Sequence, residues 1–300
     1  MNINQLETLV TISRTMSFRK AGEILNLTQP AVSAQIKSLE DEFGTILVDR
    51  NQPVTLTDSG KVFLEHAFRV LQTIEDLKQR LADMENTPQG NISVGTTASI
   101  AVQILPRVLS YFQNQYPLIK PAIHSMTSSQ ILSAVENGSV DIGIAYLFDK
   151  SSSVETSVLY YDTFELVVSP SHPLAEIGHA TIEDLRTLSL ILMTPGTAVR
   201  RFTDKMFKNL DVTPHVVMEL SSSEEVKRVV ELNLGAAIIA KNSVSSELRS
   251  GSLKLVTLDE VETDQPVVVM YKSGRYLSSA MQQFMNDLKG MPQTQFLGSE

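Results

Sequence analysis

Cysteine and tryptophan are absent from this 300-residue chain, and histidine occurs only five times. Without cysteine there is no disulfide, no thiolate metal site and no cysteine nucleophile. The histidines are scattered, and His124, His172, His179 and His215 fall at strand ends and loops with no HExxH or other ligand spacing, so neither a metal nor a cofactor is expected. Long apolar runs are missing too. No stretch of eighteen such residues occurs, and the opening MNINQLETLV has neither the basic start nor the apolar stretch of a signal peptide, which sets the expectation of a cytoplasmic protein away from membranes. Positive charge is in short supply, with 25 Lys and Arg against 34 Asp and Glu, a net charge of -9 and a pI near 5.1. The molecule as a whole does not attract phosphate, so any nucleic-acid binding has to rest on a local patch. The motifs GxSxG, GxxxxGK and GxGxxG are lacking, and no acid pair sits in a recognisable motif, which leaves an enzyme little to stand on.

What is present begins with a hydrophobic share of 42%, enough for sizeable cores, and a length that suggests about two domains. Leu6, Leu9, Val10 and Ser13 recur at helical spacing after a cap at Asn4 and predict a first helix ending near Thr15. Ser17 caps a second, in which Phe18, Ala21, Gly22 and Leu25 keep the i, i+3, i+4, i+7 pattern with small residues where another helix approaches. Asn26 and Leu27 turn the chain. Thr28 then caps a third helix with Pro30 in its first turn and Gly44 beyond its end.

On this third helix Val32, Ile36, Leu39 and Phe43 form one stripe, so the opposite face, centred on Pro30, Ala34, Lys37, Ser38 and Asp41 with Ser33 beside it and Gln29 at the open end, looks outward. Such a face fits the major groove, where Gln pairs with adenine and Ser with several base edges. Spacing alone fits three helices of an ordinary bundle with a solvated face equally well. Charge adds a local argument: Arg14, Arg19, Lys20 and Lys37 against Glu23 leave residues 14 to 37 at +3. Next comes TILVDRNQPVTLTDSG, two short alternating apolar runs around an Asn-Gln-Pro turn, which predicts a wing-like hairpin with Arg50 near its tip and Thr57 capping the following helix.

Here the stretch MSFRKAGEILNLTQPAVSAQIKSLEDEFGTILVDRNQPVTLTDSG resembles the winged helix-turn-helix of the LysR-type transcriptional regulators, with SF, a small pair, L, TQPAVS, I, LE, G, L, R, LT and G in order. The resemblance covers about residues 2 to 60 and implies a bacterial regulator of double-stranded promoter DNA with Gln29, Pro30, Ser33 and Arg50 at the duplex; the cap Thr28 and the outward-facing Ala34 and Lys37 are expected beside them. It also implies a homodimer or homotetramer, and RNA polymerase as a further partner. Three positions depart from the common pattern: Gly22 for alanine, Val48 for phenylalanine and Ala34 where arginine is frequent. Ala34 would offer a thymine methyl an apolar contact instead of a guanine a bidentate one.

Beyond the wing, Phe63, Ala67, Val70, Ile74, Leu77, Leu81 and Met84 step by 4, 3, 4, 3, 4, 3, a heptad seam suited to a partner helix or to burial on its own domain. NTPQG at 86 to 90 reads as a hinge. The remainder alternates short apolar strands with helices, the pattern of a doubly wound α/β unit in two lobes joined by crossovers near Tyr160 and Asp264. The expected layout is α/β overall: a winged helix-turn-helix over 1–58, a linker and dimerisation helix over 59–86, a hinge over 87–90, lobe I over 91–161 and 265–300, and lobe II over 162–264. Three hydroxyl-rich turns, GTTAS, MTSSQ and MTPGTAVR, each join a strand to a helix. Unpaired N–H groups there suit an anion, with Thr97, Ser99, Thr127, Ser128 and Thr197 turned into one cleft and Arg200 a charge partner; each hydroxyl taken singly also fits an ordinary helix cap. The family's effector domain resembles a periplasmic binding protein, and positions matching Thr97, Ser99 and Thr127 lie in its ligand cleft, so a small-molecule effector is expected. The alternative is a two-lobed metabolite-binding enzyme or solute-binding protein with no DNA role.

Overall fold

The computed structural model describes residues 1–51, 53–84 and 89–292. Gln52 in the expected wing-tip turn, most of the expected hinge at 86–90 and residues 293–300 lie outside these. The chain divides into two compact units, one through the long helix and one from the strand at Gly90 onward.

In the first unit α1 (Ile3–Thr15) starts earlier than its sequence cap suggested. Asn2, not Asn4, accepts from the Gln5 backbone, and Gln5 returns a side-chain bond to the Asn2 N–H, satisfying two end donors at once. Ser17 caps α2 (Phe18–Leu25), and Asn26 ends it in the left-handed region at φ 54. Thr28 caps α3 (Gln29–Phe43), which stops at Gly44. The α2–α3 turn explains Gly22: a Cβ there would stand 2.6 Å from the Leu27 carbonyl oxygen, so the commoner alanine would push the turn outward. The wing is the antiparallel pair β1 (Val48–Asp49) and β2 (Thr55–Leu56), and α4 (Asp58–Asp83) follows behind its Thr57 cap. Leu9, Ile12, Val32, Ile36, Leu39 and Leu47 form a fully buried core, each worth about 1.5–3 kcal/mol of removed apolar surface. Phe43, expected in that stripe, lies half exposed and edge-on to Phe63.

The second unit runs β3 (Gly90–Thr96), α5 (Ala98–Gln103), α6 (Leu105–Gln115), β4 (Ile119–Ser125), α7 (Ser128–Asn137), β5 (Ile142–Tyr146), β6 (Val154–Val168), α8 (Leu174–Ile177), β7 (His179–Ala180), α9 (Ile182–Thr187), β8 (Ser189–Met193), α10 (Ala198–Asn209), β9 (His215–Leu220), α11 (Ser223–Glu231), β10 (Ala237–Ala240), a 3-10 turn at Lys241–Val244, α12 (Ser245–Ser250), β11 (Lys254–Leu258), β12 (Asp264–Lys272) and α13 (Ser279–Gly290). Strands β4, β3 and β5 are parallel, and β12 returns antiparallel between β5 and β6. The long strand β6 serves two groups. It pairs with β12 from Val154 to Thr163, then with β10 and β11 from Phe164 to Val168, so the chain passes from one lobe to the other at Asp162–Phe164. β8 and β9 make a separate parallel pair. This is the two-lobed α/β arrangement behind a helix-turn-helix.

Candidate nucleic-acid interface and ligand cleft

Along α3 the inward stripe leaves Gln29, Pro30, Ala34, Lys37, Ser38 and Asp41 exposed, and Thr28 stands exposed at its cap. The lower edge of this face is tied to α1, because Gln5 donates to Ser38 Oγ at 3.0 Å and Thr8 donates to Gln35. Ser33 is half-buried for a specific reason. Arg50 reaches from the wing, donates to Ser33 Oγ at 3.3 Å and to Glu40 Oε2 at 3.0 Å, and lies over the Phe18 ring at 5.7 Å. A guanidinium has five N–H donors, so three stay available on a group held flat across the helix face.

Glu40 is the residue that the sequence reading passed over. It accepts from the Leu47 and Val48 N–H groups at 3.0 and 3.2 Å through Oε1 while Oε2 holds Arg50. One carboxylate therefore sets the wing backbone and the wing arginine together.

In the second unit a cavity of about 410 Å³ is lined by Thr97, Ser99, Thr127, Ser128 and Thr197, so the three hydroxyl-rich turns do meet at one place. That volume lies within the range of ligand pockets. Thr97 faces Ser99 at 3.2 Å, Thr127 Oγ1 accepts from the Gln130 N–H at 3.3 Å, and Thr197 Oγ1 accepts from the Arg200 N–H at 3.2 Å. Ser128 Oγ is buried and has no partner among the described residues. Arg200 does not line the cavity. Its guanidinium is held by Asp204 at 2.8 Å, Glu219 at 2.6 Å and the Met193 carbonyl at 3.0 Å, and the Asp204 hydrogen bond leads the causes that raise its pKa. A fourth turn, Ser221, Ser222 and Ser223 after β9, completes the wall. Its signal was legible, since ELSSSEEV repeats the strand, hydroxyls, helix order of the other three. Among the described residues Glu224 is the only charged side chain in the lining, and it pairs with Lys227 at 2.6 Å. Met126, Tyr146, Met193 and Val199 supply apolar surface.

The seam on α4 divides. Ala67 is buried against Leu6 and Val10 of α1 and Phe63 packs beside it, whereas Val70, Leu77, Leu81 and Met84 are exposed and Ile74 is partly so. No helix among the described residues is long and apolar enough to cross a membrane, and no group of three or more His, Asp or Glu side chains among them could hold a metal ion.

Residues 3–61 match the family "Bacterial regulatory helix-turn-helix protein, lysR family", and residues 85–292 match "LysR substrate binding domain". A "Probable RuBisCO transcriptional regulator" from Trieres chinensis is 30% identical over 297 residues, covering 95% of this chain and 96% of that protein. A full-length OxyR variant from Pseudomonas aeruginosa shares the fold with a TM-score of 0.72 at 22% identity, over 96% of this chain and 93% of that one. Full-length CbnR complexed with its target DNA does so with a TM-score of 0.66 at 19% identity, over 96% and 99%.

Proposed function

The chain belongs to the LysR family of bacterial transcriptional regulators, and from that premise we propose that α3 reads the major groove through Gln29, Ser33 and Ala34 while Thr28, Pro30, Lys37 and Arg50 fix its register on the backbone. The observation that carries this assignment is the Arg50 bridge, which joins the wing to the one outward polar face of the helix-turn-helix and leaves donors for phosphate. Arg50 bonded to Ser33 also orients that hydroxyl so that its own proton is free for a base acceptor.

We further infer that two copies pair through the exposed part of the α4 seam, Val70, Leu77, Leu81 and Met84, placing two readers on paired half-sites. A small-molecule effector occupies the cavity of the second unit. It is an anion, held by Thr97, Ser99, Thr127, Ser128 and Thr197 and the first-turn N–H groups of α7 and α10, with no side-chain cation. The support is the unpaired buried Ser128 hydroxyl beside those N–H groups; Arg200, held in its own carboxylate pairs, takes no part. Binding that changes the lobe angle couples to DNA by about 1 to 3 kcal/mol, the usual range for linked sites.

The test is a mobility shift on the DNA just upstream of this gene. Retardation that weakens steeply with salt and drops with Gln29→Ala and Arg50→Ala supports the reading. Equal retardation of unrelated DNA, unaffected by both variants, overturns it. For the cleft, carboxylates that raise the Tm of the wild type and act identically on Thr97→Val/Ser99→Ala would show that the ligand sits elsewhere.

A further inference from the structure

Beneath the cavity lies a carboxylate that none of these roles uses. Asp162 is 1% exposed and stands on β6 where that strand passes from its β12 pairing to its β10 pairing, the crossover between the lobes. From lobe I the Tyr146 hydroxyl, on β5 and in the cavity wall, donates to Asp162 Oδ2 at 2.9 Å. The Thr163 N–H donates to Oδ1 at 2.9 Å. From the 3-10 turn that follows β10 in lobe II, Asn242 faces the same carboxylate with its backbone N–H and its side-chain amide, the amide Nδ2 stopping short of full hydrogen-bond geometry. Ser99, on the cavity side, faces the Tyr146 phenol.

The titratable groups that face Asp162 are both phenols, Tyr146 from β5 and Tyr160 from its own strand. Lys241 on the 3-10 turn and Asp264 on β12 are exposed, and no cation is among the groups that act on Asp162. A buried charge without a counter-ion is costly, and only donors gathered around it make the ionised form tolerable. Here those donors come from both lobes. Burial accordingly pushes the Asp162 carboxyl up to about 6, with the Tyr146 and Thr163 hydrogen bonds and the facing Asn242 donors pulling the other way.

We propose that Asp162 is a proton-operated tie between the lobes: ionised, it draws Tyr146 of lobe I and Asn242 of lobe II onto one carboxylate, and proton uptake releases Asn242 and frees the lobe angle. A protonated carboxyl is itself a donor at one oxygen and no longer gathers N–H groups there. Since Tyr146 forms part of the cavity wall, occupancy of the cavity and protonation of Asp162 bias the same two-state element. That last link rests on the cavity being the effector site; the tie itself does not.

The chain has no cysteine, so one introduced in each lobe, Leu118→Cys and Leu232→Cys, both exposed positions, carries a pair of spin labels without background. Distances are measured on the full-length chain without effector from pH 5 to 8. The expected result is a shift in the interlobe distance distribution with a midpoint near pH 6, abolished by Asp162→Asn and moved to higher pH by Tyr146→Phe, which removes a donor to the ionised form. A distance that does not change across this range, or a shift that persists in Asp162→Asn, overturns the proposal. If Asp162→Asn fails to fold, Tyr146→Phe decides it: an unmoved midpoint counts against the tie. Because no effector is added, failure here leaves the cleft reading standing, and failure of the effector titration leaves the tie standing.

Discussion

Single residues carry the DNA-reading end of the molecule, and two of them separate reading from positioning. Ala34 is exposed at the centre of the α3 face. Ala34→Arg introduces the side chain that pairs bidentately with guanine, a contact worth about 1–3 kcal/mol of base discrimination, so an operator-variant series should gain a guanine preference at one position. An unchanged series would place Ala34 away from the bases. Glu40 acts differently, since it touches the Leu47 and Val48 N–H groups and Arg50 and is itself set back from the face. Glu40→Gln retains an acceptor but loses the charge that holds the guanidinium. Hydrogen bonds to charged groups contribute about 1.5–3 kcal/mol, and the half-exposed Arg50 places this pair toward the lower end. The expected outcome is a roughly tenfold weaker retardation of all sequences alike, with base preference intact and helical circular dichroism retained. A changed preference would mean that Glu40 reads bases itself. Ala34 was legible in the sequence because the face of a helix follows from periodicity. Glu40 was not, because its partners come from a hairpin seven to ten residues further on.

Elements whose ends are marked by local chemistry were legible, and those made by distant pairing were not. Ser17, Thr28 and Thr57 cap the helices that the spacing placed behind them. By contrast the first half of β6, Val154 to Tyr161, carries Glu155, Thr156 and Ser157 and shows no strand pattern; it is a strand because β12 lies along it. β11, only five residues long, is likewise held by β6 and β7. On α4 the heptad spacing marks one stripe but does not say which neighbour takes which part. α1 takes Ala67, and Leu77, Leu81 and Met84 remain exposed. Leu77→Lys with Leu81→Lys should therefore leave the first unit folded, because neither side chain joins its core. The double change should reduce the solution mass to that of one chain at micromolar concentration and turn a paired-site retardation into weak half-site binding. Light scattering checks the first outcome and the mobility shift the second. An unchanged mass would move the pairing surface off this helix.

At the scale of the whole molecule, a chain of net charge -9 keeps a buried carboxylate, hydrogen-bonded but without a counter-ion, at the crossover between the lobes of its second unit. The carboxylate leaves a thermodynamic trace separate from any motion. Its pKa is raised from the ordinary aspartate value of 3.8 to about 6 by burial, so the folded state binds that proton more tightly than the unfolded chain does. The associated stabilisation is fully present below pH 3.8 and is lost as pH rises through 6. Above that window the ionised group costs on the order of 1–3 kcal/mol relative to a neutral side chain of the same shape. Asp162→Asn keeps an oxygen to accept from Tyr146 and removes the charge. The variant should unfold at a higher temperature than the wild type at pH 8, with the gap narrowing toward pH 5 and closing near pH 4. Because the chain has two units, the comparison belongs to the transition of the second unit, followed by calorimetry in the full-length protein. A gap of equal size at pH 8 and pH 4 would assign the change to packing and remove protonation as its cause.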